Sequence, residues 1–316
     1  MYSDLRQLFS SFTRLLLLAA VFLILHPQHA GAQTLVEATL PDLQSQAERG
    51  DAAAQYKFAQ SYLRNNPSDK DYQSAVKWLR ASAAQGNASA EFLLGYFYEH
   101  GQGVPRDYSS AAANYQAAAL QHHSTAENNL ASLYQHGQGM SKNLGKAFEL
   151  YLASANHGNP VGQCNLASMY YLGSGTPRNY QQAAKWFRVA ADSGSATAQN
   201  DLGVFYYNGQ GLPADYSEAA RWLLLAAQNG LPAAETNLAY MLENGKGVPL
   251  DYVAAYTWYS RALAAGDTAG AEHRSQLAHR MTRKQLNEAD AQLTSVSYQP
   301  KQQPSPNGAF SLLQNH

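Results

Sequence analysis

An Asp/Asn–Tyr/Leu pair recurs every 36 positions along the chain, at Asp71-Tyr72, Asp107-Tyr108, Asn143-Leu144, Asn179-Tyr180, Asp215-Tyr216 and Asp251-Tyr252. Other columns keep the same step. Leu94, Leu130, Leu166, Leu202 and Leu238 form one, with Phe58 at its head; Ala75, Ala111, Ala147, Ala183, Ala219 and Ala255 form another. A glycine closes each unit at Gly50, Gly86, Gly158, Gly194, Gly230 and Gly266, and His122 breaks that column. Self-similarity at a period of roughly 20–50 residues is the signature of stacked repeats, each too small to bury its own apolar face. Function is therefore to be sought on a stacked surface rather than in a closed pocket.

The unit from Asn87 to His122 shows what one repeat is made of. Ala90, Leu94, Phe97 and Tyr98 fall at i, i+4, i+7 and i+8, one stripe of an amphipathic helix. Gly101-Gln102-Gly103 ends that helix, because glycine accepts the left-handed backbone needed just past a helix terminus. Glycine pairs recur at Gly137/Gly139, Gly173/Gly175, Gly209/Gly211 and Gly245/Gly247, and Pro105, Pro177, Pro213 and Pro249 stiffen the loops. Asp107 is a natural N-cap for the next helix, and in the fifth copy Asp215 and Glu218 match the capping-box spacing. Ala111, Tyr115, Ala118 and Ala119 then point inward from a second helix. Each unit is predicted to be helix–loop–helix, with helices of roughly 14 residues, or ~21 Å. The first copy departs, with Asn65-Asn66-Pro67-Ser68-Asp69 in place of Gly-x-Gly. Trp78, Trp186, Trp222 and Trp258 share one column of the second helix and are assigned to packing rather than to stacking on a ligand.

The ends carry different signals. Arg6 and Arg14, the apolar run Leu15–Leu25 and then Ala30-Gly31-Ala32 before Gln33 read as a secretory signal peptide over 1–32, cut between Ala32 and Gln33. The apolar run is far short of the ~20 residues that span a bilayer, so an exported chain without stable membrane insertion is expected, periplasmic or secreted. Residues 33–50, with Leu43, Ala47 and Gly50, match the end of a second helix and form a capping half-repeat before the six copies over 51–266. Residues 267–295 supply two more helices: Ala271–Arg280, where Arg274 replaces the column leucine, and one capped by Thr282 running to about Leu293. The remainder, 296–316, is rich in Gln, Pro, Asn and Ser and is predicted to be disordered.

The whole chain holds 22 basic and 23 acidic side chains. Loss of 1–32 removes Arg6, Arg14 and Asp4, so the remainder is slightly acidic and offers no basic stripe for a phosphate backbone; nucleic acid is not an expected partner. The single cysteine, Cys164, excludes an intramolecular disulfide framework. Its column otherwise holds Tyr, Phe, Asn or Thr, and a small, partly buried thiol is expected there.

The columns spell Ala-x3-Leu-Gly-x2-Tyr-x2-Gly-x-Gly-x-Pro-x-Asp-Tyr-x2-Ala-x2-Trp, almost unbroken from Ala198, Leu202 and Gly203 through Tyr206, Gly209, Gly211, Pro213, Asp215, Tyr216 and Ala219 to Trp222. This pattern resembles the Sel-one-like repeat family, relatives of the tetratricopeptide repeat. The resemblance covers Asp51–Gly266 and implies an all-α, right-handed α-solenoid of six helix-turn-helix repeats, with first helices lining a concave surface. It also implies an adaptor that assembles other proteins, in the envelope or at a host interface.

Some secreted members of that family resemble penicillin binders or β-lactam hydrolases, so an envelope hydrolase or binder acting on cell-wall glycan or β-lactams is the alternative. Those members are cysteine-rich, and this chain is not. Ser74–Lys77 does match Ser-x-x-Lys, in which a lysine activates a serine hydroxyl, but the companion Ser-Asp-Asn and Lys-Thr-Gly motifs are absent from the sequence. The Ser74 column scatters through Ser110, Lys146, Gln182, Glu218 and Ala254, as solvent-facing positions do. His100 and His136 are equivalent positions one repeat apart, beside Glu99, yet helices packed 8–10 Å apart hold such a pair too far apart for joint zinc ligation. No catalytic residue, metal site or cofactor is expected.

A better candidate is the face of the first helix away from its core stripe. Asn129, Asn165, Asp201 and Asn237 form one column, Asn128 and Asn200 stand in the next, and Tyr96, Tyr171, Tyr207 and Tyr240 follow a turn later. An amide offers both donor and acceptor to an extended backbone, and tyrosines give rigid contact area with a polar tip. The same amides are equally suited to bracing neighbouring helices. The expected function is a non-enzymatic scaffold that binds a protein or peptide in this groove.

Overall fold

The computed structural model describes residues 40–295. The expected signal peptide with its Ala32–Gln33 junction, and the expected tail from 296, lie outside them. The chain divides into two units, 1–42 and 43–316; apart from the first three residues of α1, every helix below belongs to the second. Among the described residues there are fifteen helices and no strand: α1 (Leu40–Glu48), α2 (Ala52–Ser61), α3 (Asp69–Ala83), α4 (Ala88–His100), α5 (Tyr108–Ala119), α6 (Ser124–His136), α7 (Leu144–Asn156), α8 (Pro160–Leu172), α9 (Tyr180–Asp192), α10 (Ala196–Asn208), α11 (Tyr216–Gln228), α12 (Pro232–Asn244), α13 (Tyr252–Ala264), α14 (Ala271–Arg280) and α15 (Arg283–Ser295). Copies one to six are the pairs α2/α3 through α12/α13. The two helices of a copy pack on each other, each second helix packs on the first helix of the next copy, and first helices α6 and α8 also touch one another. The fold is an α-solenoid.

Caps set the helix boundaries. Asp107, Asn143, Asn179, Asp215 and Asp251 all stand in extended backbone and accept amide hydrogens from the first turn of their second helices. The capping box is not where the spacing placed it. Glu218 is drawn off by Arg221, which it holds through both guanidinium contacts at 2.7 and 2.9 Å. The reciprocal pair occurs in copy one, where Ser68 caps α3 and the Asp71 carboxylate bonds back to the Ser68 amide at 2.9 Å. There Asn65 and Asn66 take the left-handed conformation (φ 57° and 60°) that glycines take elsewhere, and the helix starts early, leaving Asp71 inside its first turn. Thr282 and Gln285 make a second such box at the start of α15.

The core is a succession of layers, each formed by adjacent copies. Ala59, Leu79, Leu94 and Phe97 lie between copies one and two, Tyr115, Leu130 and Leu133 between two and three, and Phe187, Leu202, Phe205 and Trp222 between four and five. The ends are closed by Ala47 of α1 against Phe58, and by Leu277 of α14, Met281 just past its end and Ala289 of α15 against Tyr259 of α13. Arg274 lies over the Tyr256 ring at 4.6 Å and bonds Ser260 and the Tyr256 hydroxyl.

Two helices of one copy also match each other residue by residue. The hydroxyls of Tyr115, Tyr151 and Tyr259 reach back sixteen positions to Glu99, Gln135 and Glu243. In copies four and five the second-helix position is Phe187 or Leu223, without a hydroxyl, and the first-helix position is Tyr171 or Tyr207. A buried hydroxyl is thus always given an acceptor, as the cost of leaving it unpaired requires.

Candidate partner-binding face

The predicted amide ladder exists, but most of it is inside. Asn200 and Asn237 have no exposed surface, and the Asn237 amide donates to Asn200 Oδ1 at 2.8 Å. Asn200 in turn donates to Asp201, which is also buried. One repeat pair earlier, Asn165 donates to Asn128 Oδ1 at 2.9 Å, Asn128 to Asn129, and Asn129 to the Tyr115 hydroxyl. Asn128, Asn200, Asp201 and Asn237 thus sit in the bracing arrangement that the sequence left open beside ligand contact. The physical reason is that an amide suits a buried bridge as well as an exposed one, so polarity of the column does not distinguish them. Asn129 and Asn165 remain half-buried.

A second polar column escaped sequence reasoning. Gln55, Glu91, Glu127, Gln163, Gln199 and Glu235 are all buried near the start of their first helices. Four of them accept hydrogen bonds from a residue thirty positions on, at the end of the same copy's second helix: Gln85, Gln121, His157 and Asn229. Stepping by 36 from Gln55 reveals it, since every copy holds Gln or Glu there.

The tyrosines keep accessible surface. Tyr96, Tyr171, Tyr207 and Tyr240 are all half-exposed. Tyr207 and Tyr240 are neighbours across copies five and six, with ring centroids 6.3 Å apart, and Tyr240 lies 5.7 Å from His273 of α14. Burial, and a hydrogen bond to Tyr240, push the Tyr207 hydroxyl up to about 12, so it stays protonated and able to donate. Tyr171 packs at a tilt against Phe205 of the next copy and against Tyr180. Tyr96 stands apart, stacked on His100 at 4.0 Å. The structure thus joins Tyr207, Tyr240 and His273 into one strip and leaves Tyr96 outside it.

The remaining candidates are placed as follows. The Ser74 hydroxyl donates to the Lys70 carbonyl at 3.0 Å, and Lys77 lies over the Trp78 ring, so the lysine does not activate the serine. His100 and His136 each bond the carbonyl four residues earlier and do not converge. Cys164 is buried, and burial pushes its thiol up to about 12, so it is held as an inert thiol. Of the tryptophans, Trp222 is buried and flanked by Arg188 and Arg221 at 5.4 and 4.4 Å, while Trp78, Trp186 and Trp258 are half-exposed. An open apolar cleft of about 430 Å³ is lined by Leu224 of α11, Leu238 and Leu242 of α12, Val248, and Trp258 of α13.

No helix of the described residues is long and apolar enough to cross a membrane. The solved structure of c5321, a protective antigen present in uropathogenic Escherichia coli strains and displaying an SLR fold, is 28% identical, covers 80% of this chain and superposes with a TM-score of 0.72. This chain spans 56% of that protein's length. A Sel1 repeat protein from Oxalobacter formigenes is also 28% identical, with a TM-score of 0.65 over 81% of this chain and 99% of its own. Among curated proteins none matches. The Sel1 repeat pattern matches six times in succession, at residues 52–87, 88–123, 124–159, 160–195, 196–231 and 232–267, and the chain belongs to the Sel1 repeat family.

Proposed function

We propose that this chain is an exported, non-enzymatic scaffold whose first-helix face from copy five through α14 holds an extended segment of a protein partner. The strip Tyr207–Tyr240–His273 carries the reading. Sel1 repeats commonly serve protein–protein interaction, and half-exposed aromatic rings with polar tips are what such contacts favour. The buried amides beneath keep the strip's spacing rigid, which lowers the entropy lost on binding. The serine at Ser74, spent on its own helix, gives no support to the hydrolase alternative. Export rests on the signal-peptide features of residues 1–32 and accords with the description of c5321 as an antigen.

Two measurements test the reading. Peptides selected from a random library against the chain should lose at least ~10-fold in affinity when Tyr207 and Tyr240 are both replaced by alanine, a loss within the range of aromatic hot spots. Leu224→Ser, in the lining of the apolar cleft, should leave their binding unchanged. Survival of binding in the tyrosine variant with loss in Leu224→Ser would move the partner to the apolar cleft. For export, N-terminal sequencing of the chain recovered from its native host is expected to begin at Gln33; a start at Met1 or Tyr2 would refute processing.

A further inference from the structure

The glycine column that follows each second helix adopts a left-handed backbone, with φ of 79–95° at Gly50, Gly86, Gly158, Gly194, Gly230 and Gly266. His122 stands in that column and is held at φ 61°, a conformation that a side chain makes unfavourable. In the next copy, the residue that clips the buried Glu127 is also an imidazole: His157 Nδ1 lies 2.8 Å from Glu127 Oε2. The equivalent positions hold Gln85, Gln121, Ser193, Asn229 and Ala265. The one metal-ligating break in the glycine column therefore faces the one metal-ligating member of the clip column. The two rings are 4.9 Å apart, and one ligand atom each from His122, Glu127 and His157 lie within 4.8 Å of one another.

We propose that His122, Glu127 and His157 form a site for a divalent transition-metal ion, with zinc as its probe. Two imidazoles and a carboxylate are a donor set that zinc takes with water in the fourth position. Metal–ligand distances of ~2.0–2.2 Å in a tetrahedron put ligand atoms about 3.3–3.5 Å apart. The three groups need to close by little more than ~1 Å; both imidazoles are exposed at the surface, and His157 already meets Glu127 through Nδ1. Glu127 is fixed, being 3% exposed on α6, and supplies the negative charge. The clip alone accounts for Glu127 and His157, as it does for Gln55 and Gln85; it does not account for a histidine kept in a left-handed position. The adjacent His123 is already used, capping α6 through Ala126 and stacked on Phe92. A metal here would staple the end of copy two to both helices of copy three.

The test is calorimetric titration of the chelator-stripped chain with zinc, with thermal unfolding in parallel. One zinc per chain is expected, with an unfolding temperature that rises with zinc concentration. His122→Gly restores the residue of the other copies, so it should fold at least as well without metal. It should lose affinity by more than the 10–100-fold that loss of an outer-shell partner costs, and lose the thermal shift. Glu127→Gln keeps an acceptor for His157 but removes the charge, and should weaken binding likewise. The double change His100→Ala, His136→Ala should retain it. Absence of stoichiometric binding at micromolar zinc, or undiminished affinity in His122→Gly or Glu127→Gln, would overturn the site.

Discussion

Trp222→Ala is expected to lower the free energy of unfolding by ~3–5 kcal/mol, the range for deleting a large buried ring, and to loosen copies four and five before copies one and two. Trp222 is 4% exposed and belongs to the layer with Phe187, Leu202 and Phe205, while Arg188 and Arg221 cover its faces. Its removal opens a cavity and strips two guanidinium stacks together. Because the core is a series of layers shared by adjacent copies, the damage should stay near its origin, as in a one-dimensional array. Hydrogen exchange should show protection lost first in α9–α12 and kept in α3–α6. Uniform loosening from α2 to α13 would mean one global core instead.

Gly211→Ala should cost ~2–5 kcal/mol and Gly230→Ala only ~1–2, although both glycines have positive φ. At Gly230 (φ 79°) a Cβ meets nothing within 4 Å, so the left-handed strain of ~1–2 kcal/mol acts alone. At Gly211 (φ 71°) a Cβ would lie 2.2 Å from the Tyr180 carbonyl oxygen, a backbone atom that cannot step aside. Overpacking of that kind adds ~1–3 kcal/mol. The contact is a repeat rule: Gly103, Gly139, Gly175 and Gly247 press on Tyr72, Tyr108, Leu144 and Tyr216 in the same way. It explains why the loop glycine and the Asp-Tyr pair recur together, one copy's loop lying on the start of the previous copy's second helix. Urea unfolding of both variants measures the difference, and equal losses would contradict the contact.

Much of the fold was legible because each repeat solves the same local problem with the same residues. The caps at Asp107, Asn143, Asn179, Asp215 and Asp251 and the stops at Gly101, Gly137, Gly173, Gly209 and Gly245 follow from backbone chemistry that acts within a few residues. Copy one was harder, since two left-handed asparagines replace the glycines and Ser68 takes over the cap. The candidate site was less legible because its polar columns interact across copies. Asn237 reaches Asn200, 37 positions away, and His157 reaches Glu127, 30 away. Neither spacing is the period, so reading straight down a column finds the residues without their partners. Burial then decides what they do, and a buried amide and an exposed one are the same letter in the sequence.

The division of labour on the first-helix face is the central claim: amides brace, tyrosines bind. Its most direct test is unfolding free energy and affinity for a selected peptide, measured side by side on Asn237→Ala and on Tyr207→Ala with Tyr240→Ala. Asn237→Ala should cost ~1–3 kcal/mol of stability, by leaving the buried Asn200 carbonyl short of a donor, and leave affinity unchanged. The tyrosine pair should cost at least ~10-fold in affinity. An Asn237→Ala variant that loses affinity at unchanged stability, beside a tyrosine variant that binds as before, would contradict it.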